Sequence, residues 1–200
     1  MSRGATAGPD PTMILTAFGL AALILGAALD DAQSSPSLTD VRVFAADGQI
    51  RAACRLRDAI TPEMAEEIAA GLETTLEYRF QVVRRRSGWI DEVVARRRVE
   101  CSVRHDALTR QYTLTRRVDG GVVDTQATSD EAAMRDFVTT IGDVPLIAAD
   151  RLEAGREYYV RVRGDIGLMW RFYLIPWRLN TDWIEMPVAP GEEGSHATRP

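Results

Sequence analysis

His105 followed by Asp106 is the only histidine–carboxylate pair in the body of the chain, because the second histidine, His196, lies in a tail rich in Pro, Gly, Glu and Ser. A metal ion needs several converging ligands, and a nucleophilic triad needs a placed serine or cysteine beside its base. Neither set can be assembled around His105, which reads as a strand-end histidine supporting the turn at Asp106. The acid pairs Glu66-Glu67 and Asp91-Glu92 fall on a solvated helix face and in a loop, with no second group placed for proton transfer. Gly120-Gly121 lacks the strand–glycine–helix context of a phosphate loop. The sequence therefore predicts a protein that is not an enzyme, with no catalytic residue, cofactor or metal.

Two other constellations carry chemistry. Cys54 and Cys101 fall on the inward parity of two different strands, where the oxidising compartment expected for an exported chain allows a disulfide between the sheets; the other reading is two small buried hydrophobes. Trp89 lies in a loop flanked by Arg84-Arg85-Arg86 and Arg96-Arg97-Arg98, an aromatic–guanidinium composition common on binding surfaces. Arg84, Arg85, Arg86, Trp89, Arg96 and Arg98 are the candidate partner-binding residues, whereas Trp170, Trp177 and Trp183 are expected to pack. Eleven arginines face four acids between Arg79 and Arg117, a local balance of +7 in a chain of net charge −5. Such a ribbon can steer an anionic partner, and it can equally pair internally, with Glu77 and Glu100 reaching arginines on the neighbouring strand.

The elements that position these residues are mostly strands. Thr74, Leu76, Tyr78, Phe80 and Val82 alternate with polar neighbours, and Val99, Cys101, Val103 and His105 repeat the pattern after a turn at Arg84 to Gly88. Val41, Val43 and Ala45, then Ile50, Ala52, Cys54 and Leu56, form an earlier hairpin turned at Asp47-Gly48. Asp119-Gly120-Gly121 turns another hairpin from Tyr112 and Leu114 into Val122-Val123. Thr61-Pro62-Glu63 starts a short helix with Met64, Ile68 and Leu72 on one face. Thr128-Ser129-Asp130-Glu131 matches a capping box for a second helix, lined by Met134, Phe137, Val138 and Ile141 and ended by Gly142. Leu152 to Val162 has the form of a tyrosine-corner approach to a late strand, and Pro176 confines the last segment to an edge or bulge. The expectation is a mainly β, immunoglobulin-like or fibronectin-like antiparallel sandwich over residues 38–186, with two short helices and a disordered tail over 187–200.

The arginine-rich strand running into Ala107-Leu108-Thr109-Arg110-Gln111-Tyr112 resembles a family of bacterial exported proteins known as domain of unknown function 4390. Gly155 to Arg163 and the segment containing Asp182-Trp183 agree with it. The resemblance implies an exported envelope protein encoded beside a nitrogen-type sensor kinase pair. It brings no activity, cofactor or site residue.

Composition is ordinary for a globular chain, at 46% hydrophobic and 26% charged residues, which excludes wholesale disorder. All 24 basic residues are arginine, a bias of the kind a GC-rich genome imposes, so arginine number alone carries no argument. Residues 11–29 are uncharged and span about 28 Å as a helix, which predicts an N-terminal hydrophobic helix. Residues 1–33 then act as a signal peptide, with Gly26-Ala27-Ala28 as small cleavage-site residues, or as a membrane anchor touching the bilayer through residues 13–29. Arg3 before it and Asp30-Asp31 after it place the remainder outside the cytoplasm, periplasmic or on the outer side of the cytoplasmic membrane. The functional expectation is a non-enzymatic envelope domain that binds a protein or an anionic envelope component through its basic hairpin, and not nucleic acid. The alternative is a membrane-anchored accessory or regulatory subunit of an envelope complex such as a sensor kinase.

Overall fold

Alternation at every second residue is realised as ten strands in a computed structural model that describes residues 35–88, 90–171 and 175–188, the side chains of 168–178 excepted. In chain order they are β1 (Ser37–Ala46), β2 (Gln49–Arg57), helix α1 (Pro62–Ala69), β3 (Thr74–Arg84), β4 (Glu92–Asp106), β5 (Gln111–Val118) and β6 (Gly121–Thr128). Helix α2 (Glu131–Thr139), β7 (Thr140–Ala148), a 3-10 turn (Ala149–Arg151), β8 (Tyr158–Arg171), β9 (Ile175–Asn180) and β10 (Ile184–Pro187) follow. The described chain is mainly β with two helices. The N-terminal hydrophobic segment, Trp89 and the tail beyond 188 lie outside the described residues. Among those described, no helix is long and apolar enough to cross a membrane.

Every pairing is antiparallel. A small sheet runs β1-β2-β7 and a large one β10-β8-β3-β4-β5-β6, with β9 also on β8. Both Asp47-Gly48 and Asp119-Gly120 hold positive φ at two successive residues, the backbone of a two-residue hairpin turn whose twist matches its strands. Inward-facing residues of the two sheets share one core: Ile50, Ala52, Cys54 and Leu56 of β2 meet Leu76, Tyr78, Phe80 and Val82 of β3 and Val99, Cys101 and Val103 of β4. Gly164 in β8 permits a close approach, since a Cβ there would lie 3.1 Å from Leu56 Cδ1.

Four expectations require correction. Leu72 lies past the end of α1 and is 58% exposed, so the helix buries Met64 and Ile68 alone. Thr128 is not the cap of α2: Asp130 is, its carboxylate accepting from the Ala132 N–H at 2.9 Å. The helix ends at Thr139 without a glycine, and Ile141 and Gly142 belong to β7. That strand was hidden by Gly142, Asp143 and Pro145, which interrupt its alternation. Pro145 is tolerated because β7 pairs with β2 alone and forms an edge of the small sheet, where its missing N–H faces no partner.

Candidate binding surface

The hairpin joining β3 to β4 is a closed ionic network. Arg84 reaches both Glu92 and Glu153, and Arg86 also reaches Glu92. Arg85 lies 3.7 Å from Glu157 and sits over the Tyr159 ring. Asp91 accepts the Arg86 N–H at 3.0 Å and the Tyr159 hydroxyl at 2.9 Å, and these two bonds hold its carboxyl below the ordinary value. The Arg84 guanidinium likewise holds Glu92 down. Of the sequence-predicted binding residues, Arg84, Arg85 and Arg86 are engaged at the tip. Arg98 is engaged further along β4, with Glu77 at 3.0 Å and with Glu100. Arg96 is exposed and makes no ion pair among the described residues.

Register assembles a second arrangement on the face of the large sheet turned away from the core. Glu185, Arg161, Gln81 and Arg96 stand opposite one another on β10, β8, β3 and β4. The next row along is Arg163, Arg79 and Arg98, and the row beyond it is Asp165, Glu77 and Glu100. Three arginines thus occupy directly opposed positions on three adjacent strands, where like charges repel. The acidic row answers two of them: Arg79 lies 2.5 Å from Glu77 and 3.6 Å from Asp165, while Arg98 takes Glu77 and Glu100.

Arg161 and Arg163 are held differently. Arg161 donates from Nε to Gln81 Oε1 at 2.8 Å, and the two guanidiniums lie 4.9 and 5.9 Å from the Trp183 ring centroid. Neither forms an ion pair among the described residues, although Glu185 stands opposite Arg161 in register. A ring contact engages the flat face of a guanidinium, and Arg161 also commits its Nε–H to Gln81. Sequence reasoning assigned Trp183 to packing and left Arg161 and Arg163 unremarked. The Arg161-Val162-Arg163 alternation was the available signal, but only the pairing with Arg79 gives it meaning.

The remaining candidates do not join this surface. The His105 ring tilts against Tyr112 at 4.8 Å, and its buried Nδ1 finds no partner among the described residues. Asp106 accepts from the Leu108 and Thr109 N–H groups, shaping the β4–β5 turn. Cys54 and Cys101 are both buried and both free thiols. Burial pushes Cys54 up to about 12, with Cys101 adding to it. Among the described residues no group of three or more His, Cys, Asp or Glu is placed to hold a metal ion.

A family profile described as Domain of unknown function (DUF4390) matches residues 33–168. No curated protein and no solved structure matches the chain.

Proposed function

Since the chain belongs to the DUF4390 family, whose description assigns no activity, we propose its role from geometry: a non-enzymatic binding domain of the cell envelope. It takes an anionic partner, a protein or another envelope component, on the outer face of its large sheet. The observation that carries this reading is the pair Arg161 and Arg163, propped on Trp183 without a carboxylate partner, beside unpaired Arg96. The arginines of the hairpin tip, by contrast, are taken up by Glu92, Glu153 and Glu157. An extracytoplasmic location draws on the uncharged run 11–29 between Arg3 and Asp30-Asp31.

Strand order supports an immunoglobulin-like assignment for the two sheets. In that fold strands A-B-E-D face a G-F-C sheet that C′ and C″ can extend. Here β1-β2-β7 faces β9 and β10 on β8, then β3, β4, β5 and β6, so that β6 extends the large sheet where strand D of that fold would join the small one. Tyr158, at the start of β8, accepts the Glu153 N–H on its hydroxyl at 3.1 Å, the back-bond of a tyrosine corner.

The test replaces Arg96, Arg161 and Arg163 together by Gln and measures retention on isolated envelope fractions across a salt series. A charge-matched control replaces Arg42, Arg57 and Arg110, whose side chains make no bond or ion pair among the described residues. The face triple should lose retention and flatten the salt dependence while the control keeps both. Equal retention by the two triples would refute the assignment.

A further inference from the structure

We infer that the free edge of β6 pairs with the same edge of a second copy of this chain, so that two large sheets run on as one. A sheet edge presents a row of N–H and C=O groups that template another strand, and soluble proteins guard such edges with proline, charge, brevity or broken register. Three edges here are guarded. β10 has only the residues Ile184–Pro187 and ends in proline. β7 carries Pro145 and an Asp143 bound to Arg51, and β1 breaks register between Thr39 and Arg42. β6 pairs with β5 alone and holds no proline, no arginine and one acid, Asp124. Its Val122 and Val123 are 59% and 60% exposed.

The geometry of the edge selects its partner. The Asp119 N–H bonds across to the Arg98 carbonyl on β4, so the alternation of an antiparallel ladder turns the backbone groups of Arg116 and Leu114 toward β6. Asp124 and Gln126 stand opposite these two. The N–H and C=O of Thr125 and Ala127 therefore point away from β5, and they meet no partner among the described residues. A copy laid alongside about a twofold axis normal to the sheet places residues of equal parity opposite one another, because side chains alternate between faces. Centring on Asp124 would oppose two carboxylates, which repel. Centring on Thr125 sets that residue against its own copy, Asp124 against Gln126, Val123 against Ala127 and Val122 against Thr128. The Gln126 amide already donates to Asp124 of its own strand at 2.9 Å, so its second N–H is placed for the copy's carboxylate, and both exposed valines gain cover. The edge is its own complement in this register. With the axis normal to the sheet, both outer faces look the same way, and two sets of Arg96, Arg161 and Arg163 present themselves together to one multivalent partner.

The full chain, held in mild detergent because of its uncharged run 11–29, is measured by sedimentation equilibrium from about 1 to 200 μM. Wild type should pass from monomer to dimer in that range, since one strand pairing makes a small interface. Thr125→Pro removes an N–H that has no use inside the chain, and it should hold the protein monomeric while leaving its melting temperature close to wild type. Thr125→Arg and Thr125→Glu each set like charges against one another across the axis and should weaken dimerisation about fivefold. An equimolar mixture of the two should restore it. A wild-type chain that stays monomeric throughout overturns the inference, even if a different protein is captured on this edge. A dimer that Thr125→Pro leaves intact overturns it too, because the contact then lies elsewhere. Failure of the mixture to recover what the separate charge variants lose has the same consequence, since a copy paired about Thr125 must bring the opposite charges together.

Discussion

The Tyr78 hydroxyl donates to the Val138 carbonyl oxygen at 2.7 Å, joining the buried face of β3 to the last turn of α2 sixty residues further on. A helix leaves its last four carbonyls without intrahelical partners, and α2 has neither a glycine nor a loop in which to resolve them. Three of them find a donor: the Thr140 N–H serves Asp136, Arg116 serves Phe137 at 2.8 Å, and Tyr78 serves Val138. The helix can therefore run straight into β7.

Tyr78→Phe leaves the Val138 carbonyl buried and unpaired, and should cost about 1–3 kcal/mol in urea unfolding with an unchanged m-value. Arg116→Leu removes the donor to Phe137 and Thr140 and should cost a similar amount. Because both side chains serve one helix end, the double variant should depart from additivity by about 0.5 kcal/mol or more. Strict additivity would mean that the two caps act independently.

Gly164→Ala sets a methyl group 3.1 Å from the buried Leu56 Cδ1, an overpacking expected to cost about 1–3 kcal/mol. Leu56→Ala in the same chain should recover part of that loss, although alone it destabilises by opening a cavity. If Gly164→Ala melts at or above the wild-type temperature, the sheets are not as closely apposed there as described.

The pin between Asp91 and Tyr159 has a two-sided pH dependence. The carboxyl of Asp91 is held below its ordinary 3.8 by the Arg86 N–H and the Tyr159 hydroxyl; its contribution is present above that value and lost as pH falls through the lower folded one. Tyr159 is raised above its ordinary 10.0 by burial and by Asp91, so its contribution is present below 10 and lost as pH rises through the higher folded value. Protection of the Arg86 amide against hydrogen exchange should hold between these limits and fall on the acid side, and Asp91→Asn should remove most of it at neutral pH. Wild-type and Asp91→Asn chains with equal protection would contradict the pin.

Both thiols should resist alkylation in the native protein at pH 8, since burial keeps Cys54 protonated up to about 12 and only a thiolate attacks. The stabilisation from the neutral buried thiol is intact below the ordinary 9.0 and is lost as pH climbs toward 12. Unfolding without reductant should then expose two reactive cysteines. Labelling of neither would establish a bond between Cys54 and Cys101 in place of the free pair.

Much of the fold was legible because period-two alternation survives intact in β2, β3 and the core half of β4, and because Asp47-Gly48 and Asp119-Gly120 admit few backbones other than a tight turn. The strand β7 was not. Ile141 falls three and four residues after Val138 and Phe137, continuing their helical spacing, and Pro145 and Gly142 disguise the rest, so only pairing with β2 reveals a strand. The surface divided along the same line. A run such as Arg84-Arg85-Arg86 announces itself in one dimension, yet Glu92 and Glu153 neutralise it from other elements. Arg161 and Arg163 become neighbours of Arg79 and Trp183 only through strand register, which local sequence does not encode.

The absence of any linker between α2 and β7 bears on how the molecule assembles. The run from β3 to β6 is joined by successive short hairpins, whose contacts can close early and locally. The small sheet has no such shortcut: Arg51 on β2 meets Asp143 on β7 across 92 residues. A two-stranded ribbon such as β1–β2 is marginal on its own in water. It must therefore wait for the meander to form and for α2 to deliver the third strand, which makes closure of the β1-β2-β7 layer the late, slow event in folding.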